Sequence, residues 1–446
     1  MLVTELIIGI DLGSTCIKGA IGKKVQGGTE LLALYQVPVV SGIRRGVIHN
    51  VEEVAKGIVE LLDALLKKIG KPGKVENVYI GINGYSIRTV DITSSTILSG
   101  DEILSEIHLD TLSDDIELNV PESLETIDVF PQEFIVDGKV DVNPVGSMPT
   151  RVEAHYKVVA GRPMILKNLD TCFKRINLRY EQILGPLASA EAILEPEEKN
   201  KGVVAVDFGA QTTSVCIYKG NVLRYIAVLP FGGVNITNDL MQLNIDLDDA
   251  EKLKIDKGIA KHYSEFETNE DQEVETPALT DFEKETNEII VARTEEIVEN
   301  IYAQIRFSGA EIQKLTAGIV ITGGASVLPE LDILLSKKTG MPVRKSNPLQ
   351  SIISNPDGIE VEPGDALSIG LLLLGKADCC VEAAPQVKVF EKPETVTDQT
   401  FGGFDEPEIK KKEKPVPEPK KEKPKKEKTT SRFSGLFKSI FDDDDL

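Results

Sequence analysis

Residues 7–22 read IIGIDLGSTCIKGAIG, and residues 203–220 read VVAVDFGAQTTSVCIYKG. Each stretch is a β-rich apolar run, then Asp-x-Gly with small polar residues, then a second β-rich run. This pattern predicts a strand, a tight turn and a second strand. Because the same hairpin occurs near the start of the chain and again near its middle, the sequence predicts two similar halves.

Both turns contain the residue types that a phosphate-binding loop needs. Glycine lets the backbone approach a phosphate closely, consecutive backbone N–H groups form an anion-binding concavity, and a carboxylate holds Mg²⁺ through its water ligands. The candidate ligands are Asp11, Gly13, Ser14, Thr15 and Lys18 in the first turn, and Asp207, Gly209, Thr212, Thr213 and Ser214 in the second. One such turn alone is more often a plain hairpin. Two of them predict one phosphate chain clamped between the halves, with Asp11 and Asp207 placed to hold Mg²⁺ through its waters.

A third glycine-rich element supports this site. Residues 317–331 read AGIVITGGASVLPEL, which predicts a buried strand, a glycine pair and the start of a helix. Gly323, Gly324 and Ser326 would let the backbone pack against a base or a ribose. The element is not a P-loop, because the Gly-Lys-Ser/Thr end of that motif is absent.

Composition and charge exclude several classes of protein. The formal net charge of −22 repels a phosphate backbone, so we expect no nucleic-acid partner. No run of 18 apolar residues is present, so the sequence predicts no membrane-spanning helix. The apolar N-terminal run leads directly into the first turn without a basic region, which favours a strand over a signal peptide. The five cysteines include no CxxC pair, so neither a disulfide framework nor a zinc site is predicted.

Each half continues with alternating strand and helix patterns, which are typical of an α/β fold. Apolar residues recur at helical spacing over 51–69, and VYIGING at 78–84 predicts a buried strand. Two stretches interrupt the alternation, one with short strands and turns and one that is acidic and helix-rich. The predicted boundaries are 1–84 with 163–195 for the first half, 85–162 for the first insertion, 196–229 with 305–380 for the second half, 230–304 for the second insertion, 381–429 for a linker and 430–446 for a terminal helix.

The C-terminal residues differ in composition from the rest of the chain. Lys, Pro and Glu dominate EIKKKEKPVPEPKKEKPKKEK at 408–428, which predicts a disordered linker. Beyond it, five large apolar side chains lie on one helical face beside two basic residues. They are Phe433, Leu436, Phe437, Ile440 and Phe441, with Arg432 and Lys438. Such an amphipathic helix suits the surface of an anionic membrane. The alternative is a helix that docks on the globular part or on a partner, and the acidic run Asp442–Asp445 departs from a lipid-binding pattern.

On these motifs the chain resembles the actin, Hsp70 and sugar-kinase superfamily. The two turns resemble its phosphate-1 and phosphate-2 motifs, and TGGAS at 322–326 resembles its adenosine motif. LASAEAIL (187–194) and ALSIGLLL (366–373) resemble its two connecting helices. The resemblance implies duplicated ribonuclease-H-like α/β halves around a nucleotide cleft that binds ATP and Mg²⁺.

Within that superfamily the chain is most similar to the FtsA family of bacterial cell division proteins. The stretches that carry this similarity are SGIRRGVIHNVEEV (41–54), VYIGINGYSIR (78–88), FPQEFIVDG (130–138) and LRYIAVLPFGGVNITNDL (223–240). The resemblance implies an ATP-binding adaptor that self-associates into filaments and links FtsZ to the cytoplasmic face of the inner membrane at the division site. Its implied partners are the FtsZ C-terminal tail, further copies of the chain, anionic lipids and other division proteins.

The resemblance also implies roles for the insertions and for residues around the nucleotide. Residues 85–162 would form the FtsA-type inserted subdomain that contacts the next subunit, and 230–304 would bind FtsZ. Glu251 and Lys254 would reach the ribose and the base, with Gly232 and Gly233 in the loop beside them. On an isolated helix the same pair would more often be a solvated face.

The residues expected to support hydrolysis depart from the superfamily pattern. The water-positioning residue of the superfamily would fall at Glu181 or Gln182, and the sequence does not choose between them. Ala210 and Gln211 replace the usual glycines of the second turn, and their side chains are predicted to crowd a γ-phosphate. We therefore expect ATP binding with weak ATPase activity at most.

One arginine and three other functions complete the hypotheses. Arg293 matches a family position and would pair with the acidic FtsZ tail, but a surface pair with Glu296 or nearby acids is an equal alternative. The competing functions are a pilus-assembly relative of FtsA, an Hsp70-like chaperone ATPase and a sugar-kinase-like enzyme.

Overall fold

The structure, a computed structural model, describes residues 5–26, 28–70, 73–99, 101–117, 120–141, 143–263 and 280–382. The predicted terminal helix over 430–446 lies outside the described residues. So does the predicted linker over 381–429, apart from its first two positions. Both stay predictions.

The chain begins with an antiparallel meander, a small hairpin, a long helix and a strand that returns to the sheet. These elements are β1 (Leu6–Leu12), β2 (Cys16–Val25), β3 (Gly28–Pro38), β4 (Ile43–Arg44), β5 (Val47–Ile48), α1 (Val51–Lys68), β6 (Gly73–Val75) and β7 (Asn77–Ile82). Helix α1 begins where the Asn50 side chain accepts the Glu53 N–H. It buries the apolar stripe that the sequence predicted, including Ile58, Leu61 and Leu65.

An antiparallel sheet with one helix follows, in the range predicted for the first insertion. Its elements are β8 (Arg88–Ile97), α2 (Glu106–Glu117), β9 (Glu125–Val136), β10 (Lys139–Asp141) and β11 (Arg151–Gly161). The strand order is β10-β9-β11-β8. Along β11 the buried residues alternate with partly exposed ones (Val152, Ala154 and Tyr156 are buried), because one face of the strand packs inward.

The chain then returns to the first half with α3 (Met164–Arg175), β12 (Arg179–Leu184) and α4 (Gly185–Ile193). The strands of this half lie in the order β12-β7-β1-β2-β3. β12, β7 and β1 are parallel, whereas β1, β2 and β3 are antiparallel to one another in turn. The carboxyl ends of the three parallel strands therefore meet at one edge, which is where open α/β sheets bind ligands.

The second half repeats this topology. Its elements are α5 (Pro196–Lys201), β13 (Val203–Phe208), β14 (Thr213–Lys219), β15 (Val222–Leu229), α6 (Gly233–Leu240), α7 (Leu247–Lys257), α8 (Asp281–Phe307), β16 (Gly318–Thr322), α9 (Leu331–Thr339) and β17 (Val343–Lys345). The strand order is β17-β16-β13-β14-β15, with β17, β16 and β13 parallel. The two halves thus share one strand order, and the duplicated, actin-like α/β fold predicted from the sequence is confirmed.

The last described elements cross back to the first half. They are β18 (Ile353–Ser354), α10 (Ala366–Leu374) and β19 (Cys380–Glu382). β18 pairs with β3, and β19 pairs with β6. The predicted boundary that gave all of 305–380 to the second half is therefore corrected at 353–354 and at 380. Helix α10 packs against α4 and β1 and is apolar on nearly every side, so its sequence could not show which half it joins.

The first insertion is bonded to both halves. Its chain leaves and re-enters the first half, but Arg88 of β8 lies opposite Ala227 of β15 in the second half. The Gln132 side chain of β9 also donates to the Leu223 carbonyl at 3.0 Å. The insertion strands and the second sheet are consequently one nine-stranded sheet.

Candidate nucleotide site

Two glycine turns lie where the sequence predicted them. The first turn (residues 13–15) joins β1 to β2, and the second turn (residues 209–212) joins β13 to β14. A Cβ on Gly13 would lie 2.6 Å from the Cys16 carbonyl oxygen, and a Cβ on Gly209 would lie 2.9 Å from that of Thr212. Both turns therefore need glycine for the same steric reason.

The carboxyl groups of Asp11 and Asp207 approach each other from the two halves. Burial raises the pKa of Asp11 to about 7, and the charge of Asp207 adds to the rise, partly offset by Lys18. Burial also raises the pKa of Asp207, whose Oδ2 accepts a 2.6 Å hydrogen bond from the Ser189 hydroxyl on α4. Two recessed carboxylates that face one space are unfavourable without a cation, so this pair fits a divalent metal.

The metal would depend on ligands besides side chains. Within the part of the chain that the structure describes, no group of three or more His, Cys, Asp and Glu residues has the arrangement of a metal site. Mg²⁺ keeps several waters and takes phosphate oxygens beside one or two carboxylates. Asp11 and Asp207 accordingly have the chemistry to hold Mg²⁺ through water beside a nucleotide, and the metal stays a prediction.

Lys18 is fixed beside this pair by a residue that the sequence analysis did not select. Its Nζ lies 3.1 Å from Oδ1 of Asp365, and both side chains are largely buried. Burial lowers the pKa of Lys18, but the charge and hydrogen bond of Asp365 outweigh burial, so the net shift is upward and the ammonium stays charged. Asp365 precedes α10, the second connecting helix, and its position before that helix was the available signal.

The TGGAS segment packs directly on Asp207. A Cβ on Gly323, which has a φ of +92°, would overlap Oδ1 of Asp207. The Gly323 N–H and the Thr322 hydroxyl both donate to the Pro363 carbonyl, at 3.2 and 2.9 Å. The Ser326 hydroxyl donates to the Gly323 carbonyl at 2.7 Å and so closes the turn. This segment therefore reaches both Asp207 and the strand-to-helix connection that holds Lys18.

The predicted loop at Gly232 and Gly233 packs against the second turn. The Gly233 N–H donates to the Gly209 carbonyl at 3.0 Å, and a Cβ on Gly233 would lie 3.0 Å from that of Ala325. A Cβ on Gly232 would lie 2.5 Å from the Gly209 carbonyl oxygen. The loop thus fills the space between the second turn and the adenosine motif.

Lys254 and Glu251 join this cluster rather than forming a solvated face. The Lys254 ammonium donates to Glu251 at 2.6 Å, to the Thr237 hydroxyl at 2.9 Å and to the Gly233 carbonyl at 3.3 Å. Thr237 also donates to Glu251 at 2.5 Å. The sequence analysis missed Thr237, which lies on α6 one turn after Gly233 and has no motif of its own.

The hydroxyl residues of the turns divide into two groups. The Thr213 hydroxyl donates to the Phe231 carbonyl at 2.9 Å, and Thr212 and Ser214 are buried. Ser14 is partly exposed and Thr15 is exposed at the first turn. We therefore place Thr213 in the support of the second turn, and keep Ser14 and Thr15 as candidate phosphate donors.

Gln211 points away from the position that the sequence analysis expected. Its Oε1 accepts a 3.0 Å hydrogen bond from the backbone N–H of Arg45, in the β4–β5 loop of the first half. The side chain therefore bridges the two halves, and the expected crowding of a γ-phosphate by Gln211 is not what this contact indicates.

Glu181 is not brought to the site. Its Oε1 accepts a 3.1 Å hydrogen bond from Asn77 at the start of β7, and Glu181 lines an open groove with Asp170 and Asp378. Gln182 lies opposite Ile80 on β12, which is the edge strand of the sheet. The structure therefore places Glu181 in a different groove, whereas water positioning by Gln182 stays a prediction.

Arg293 is paired within the chain. Its Nε lies 2.5 Å from Oδ2 of Asp239 on α6, and Nη1 contacts Glu296 one turn along α8. The bond to Asp239 raises the pKa of Arg293 against the effect of burial. The structure therefore supports the surface-pair alternative for Arg293.

Comparisons with known proteins agree with the fold and find similarity to one family. A family model described as "Cell division protein FtsA" matches residues 204–359. The chain is 29% identical over 357 residues to cell division protein FtsA of Bacillus subtilis (strain 168), covering 77% of this chain and 79% of that protein. It is 29% identical over 375 residues to FtsA of Neisseria meningitidis serogroup B (strain MC58), covering 81% and 88%.

A solved structure shares the architecture. The chain superposes on the PilM-PilN type IV pilus biogenesis complex with a TM-score of 0.59 and 18% identity, covering 82% of this chain and 98% of that chain. At that identity the likeness shows the fold alone. None of the helices in the described part of the chain is long and apolar enough to span a bilayer. The repeated turns, the paired aspartates and the curated relatives agree with one another, and the resemblance to the FtsA family of bacterial cell division proteins is confirmed.

Proposed function

We propose that this chain binds Mg·ATP between its halves, assembles into filaments and holds FtsZ on the cytoplasmic face of the inner membrane. The observation that carries the proposal is the approach of Asp11 and Asp207, from two copies of one turn, beside Lys18. Two partly buried carboxylates that interact electrostatically across one cleft are unfavourable unless a cation lies with them.

Each group around the cleft has a distinct role in this proposal. Asp11 and Asp207 would hold Mg²⁺ through water, and Lys18 with the first turn would bind the phosphates. Lys254 and Gly233 would lie at the ribose and base, beside the TGGAS segment. When bound, Mg²⁺ would neutralise part of the charge of the phosphates. Because the nearest carboxylates are committed to the metal or to Lys18, we propose slow ATP turnover at most.

ATP binding by the full chain tests the site. We expect Asp11→Asn and Asp207→Asn each to lower the Mg²⁺-dependent affinity for ATP by about tenfold or more, as loss of metal-supporting groups does. Isothermal titration calorimetry with and without EDTA measures this, and Asp332→Asn on α9, a partly exposed residue outside the cleft, is the control. A wild-type chain that binds no ATP at millimolar concentration with Mg²⁺ would contradict the proposal.

The first insertion offers a surface for self-association. Ile97, Ile107 and Met148 are 79%, 74% and 65% exposed. The Leu104 N–H donates to the Ser147 carbonyl at 2.9 Å, which holds the Met148 loop beside the residues that lead into α2. Exposed apolar groups gathered in this way are typical of a protein interface. We propose that a second copy of the chain covers them.

The second insertion offers a cavity for an acidic, partly apolar peptide such as the FtsZ tail. The cavity has a volume of about 250 Å³ and lies between α8, α9 and residues 260–262. Val291, Ile333 and Leu334 supply apolar walls. The charged groups of the lining are three lysines and two acids, Lys261, Lys337, Lys338, Glu295 and Glu330, and Lys338 is also paired with Glu299. Because lysines outnumber acids in the lining, the cavity suits a peptide with carboxylates beside an apolar side chain.

Two matched substitutions separate these surfaces. Ile333→Asp is expected to weaken binding of an FtsZ C-terminal peptide by about tenfold and to leave self-association unchanged. Ile97→Asp is expected to do the reverse. Fluorescence anisotropy of the peptide and sedimentation velocity of the chain measure the two effects. If the peptide bound both variants equally well, this cavity would not be the binding site of the FtsZ tail.

Membrane attachment is proposed for residues 430–446, which lie outside the described residues. The full chain and a chain ending at 429 are compared by pelleting with phosphatidylglycerol vesicles in the presence of FtsZ. We expect the full chain to carry FtsZ into the pellet and the shortened chain to leave both in solution. Equal pelleting of the two chains would contradict the proposed anchor.

A further inference from the structure

Asn83, the residue that follows β7, has a buried polar atom without a partner. Among the side-chain nitrogen and oxygen atoms of the described residues, Oδ1 of Asn83 is the one that is buried with no hydrogen bond. A buried amide oxygen left in this way is unfavourable, because it has lost its hydrogen bond to water without gaining another. Because rotation of the carboxamide exchanges its oxygen and nitrogen, Asn83 has either a donor or an acceptor available to a ligand.

The strand register places Asn83 at the cleft edge of the first sheet. β7 lies between β1 and β12, with Gly81 opposite both Asp11 and Ile183. Asn83 comes two residues later, so it lies beyond the end of β7 at the carboxyl ends of the parallel strands. That edge is the ligand-binding edge of an α/β sheet.

Helix α4 fixes the position of Asn83 relative to Asp207. A Cβ on Gly185, the first residue of α4, would lie 3.0 Å from Cβ of Asn83. Ser189, one helical turn later, donates to Asp207. Residues four apart share a helix face, so Asn83 lies about one turn (roughly 5 Å) along α4 from the Ser189–Asp207 contact.

The β4–β5 loop covers Asn83 from the other side. A Cβ on Gly46 would overlap the Asn83 carbonyl, and Tyr85 donates its N–H to the Arg45 carbonyl at 3.0 Å. Arg45 in turn donates its N–H to Gln211 in the second turn. Asn83 is therefore enclosed by two elements that both contact the second half, one at Asp207 and one at Gln211.

We propose that the Asn83 carboxamide binds the terminal phosphate of ATP and so distinguishes ATP from ADP. The inference rests on the proposed nucleotide site and adds a specificity-determining residue to it. A carboxamide offers two N–H donors without a charge of its own, and its hydrogen bond to a phosphate oxygen is charge-assisted. Asn83 reaches the cleft edge that Glu181 does not.

The test compares two nucleotides and two asparagines, one at the start of β7 and one just after its end. Asn83→Leu is expected to weaken Mg·ATP binding by about tenfold, the effect of losing one hydrogen bond to a charged group. Binding of Mg·ADP should change less than about twofold, because ADP lacks the phosphate that Asn83 would contact. Asn77→Leu, at the opposite end of β7, should change neither. Calorimetry of the full chain measures the dissociation constants of Mg·ATP and Mg·ADP for the wild type and for each variant.

A second substitution keeps the inference falsifiable if leucine repacks the site. Asn83→Asp retains the size of the side chain but replaces its donors by a charge, so it should weaken ATP binding more than ADP binding. Equal loss of both nucleotides in both variants, or no loss in either, would overturn the role of Asn83. A wild-type chain that binds neither nucleotide would instead overturn the nucleotide site, and this inference with it.

Discussion

The first and second turns join strands of sheets with the same strand order, and each turn needs a glycine. Different contacts hold the two turns in place. The second turn is braced on several sides: the Gly209 N–H donates to Thr212, the N–H groups of Gly233 and Val234 donate to its carbonyls, and Gln211 reaches Arg45. The first turn is followed by Lys18, which is held on Asp365. One copy of the motif is thus anchored to its surroundings, and the other carries the cation that can meet a phosphate.

This difference suggests how a duplicated fold makes one asymmetric site. The parallel strands and the Asp-x-Gly turns come from the repeat, but the residues that complete each turn come from segments that the repeat does not contain. Gly233 lies in the second insertion, Arg45 lies in the β4–β5 loop, and Asp365 lies before α10. Four experiments test this difference between the turns, and they are given in order of decreasing expected effect.

The largest expected effect is on stability and concerns the facing aspartates. The pKa of Asp11 is about 7 in the folded chain and 3.8 in its ordinary state. The folded state therefore binds more protons than the unfolded state between these pH values, and stability falls as pH rises from about 4 to 7. Without nucleotide, Asp11→Asn is expected to be more stable than wild type at pH 8 by up to about 4 kcal/mol.

The pH profile decides whether this gain comes from the charge. Urea unfolding of wild type and Asp11→Asn without Mg²⁺ should give free energies that converge as the pH falls below 4, where Asp11 becomes protonated in both states. Glu60→Gln, an exposed residue of α1, serves as the control and should show no such convergence. A constant difference between low pH and pH 8 would show that burial and the charge of Asp207 do not raise the pKa of Asp11.

The next largest effect tests the shared steric need for glycine. Gly13→Ala and Gly209→Ala each place a methyl group against a carbonyl oxygen, at 2.6 and 2.9 Å. We expect both to lower the unfolding free energy by about 1–3 kcal/mol, with the larger loss at Gly13 because its clash is closer. Gly324→Ala, where a Cβ would meet nothing within 4 Å, is the matched control in urea unfolding. A loss at Gly324 equal to that at Gly13 would refute the steric argument.

Lysines at the two ends of the cleft should differ in how they depend on phosphate number. Lys18→Met is expected to weaken ATP binding by about tenfold and AMP binding much less, because Lys18 lies beside the first turn. Lys254→Met should weaken the binding of ATP, ADP and AMP by similar factors, because Lys254 lies with Gly233 at the adenosine motif. Calorimetry with the three nucleotides measures the ratios. If Lys18→Met lowered the affinity for all three nucleotides by the same factor, Lys18 would not contact the phosphates.

Local motifs predicted the turns well because their geometry is encoded in a few adjacent residues. The Asp, the glycine and the flanking apolar runs are enough to specify a strand, a turn and a strand. The repeat of that signal was enough to predict two halves, which the shared strand order confirms. Lys254 and Gly233 were selected in a different way, by the resemblance to the superfamily, because the local pattern alone would have favoured a solvated face for Lys254.

The partners that complete the site could not be found in this way. Asp365, Ser189 and Thr237 are brought to the turns by tertiary packing, and a single sequence shows no link between them. Glu181 was selected because it is polar and precedes a connecting helix. A strand pattern does not say which of its residues reaches the cleft edge, and here the strand continues for three residues beyond Glu181. The partner of Arg293 could not be predicted for the same reason. The local sequence of an arginine beside acids on a helix is the same whether it pairs with Glu296 or with another protein.

The smallest expected effect concerns the bond between the halves at Gln211. Gln211→Ala removes the acceptor of the Arg45 N–H, and a typical intramolecular hydrogen bond contributes about 0.5–1.5 kcal/mol. We expect the unfolding free energy to fall by about that amount, with Gln313→Ala, an exposed residue of the second half, as the control. Hydrogen exchange gives the sharper measurement, since the Arg45 amide should lose protection in Gln211→Ala while amides in the core of β1 keep theirs. If the Arg45 amide exchanges at the wild-type rate, the second turn is braced by α6 alone, and the two turns differ less than the contact at Gln211 indicates.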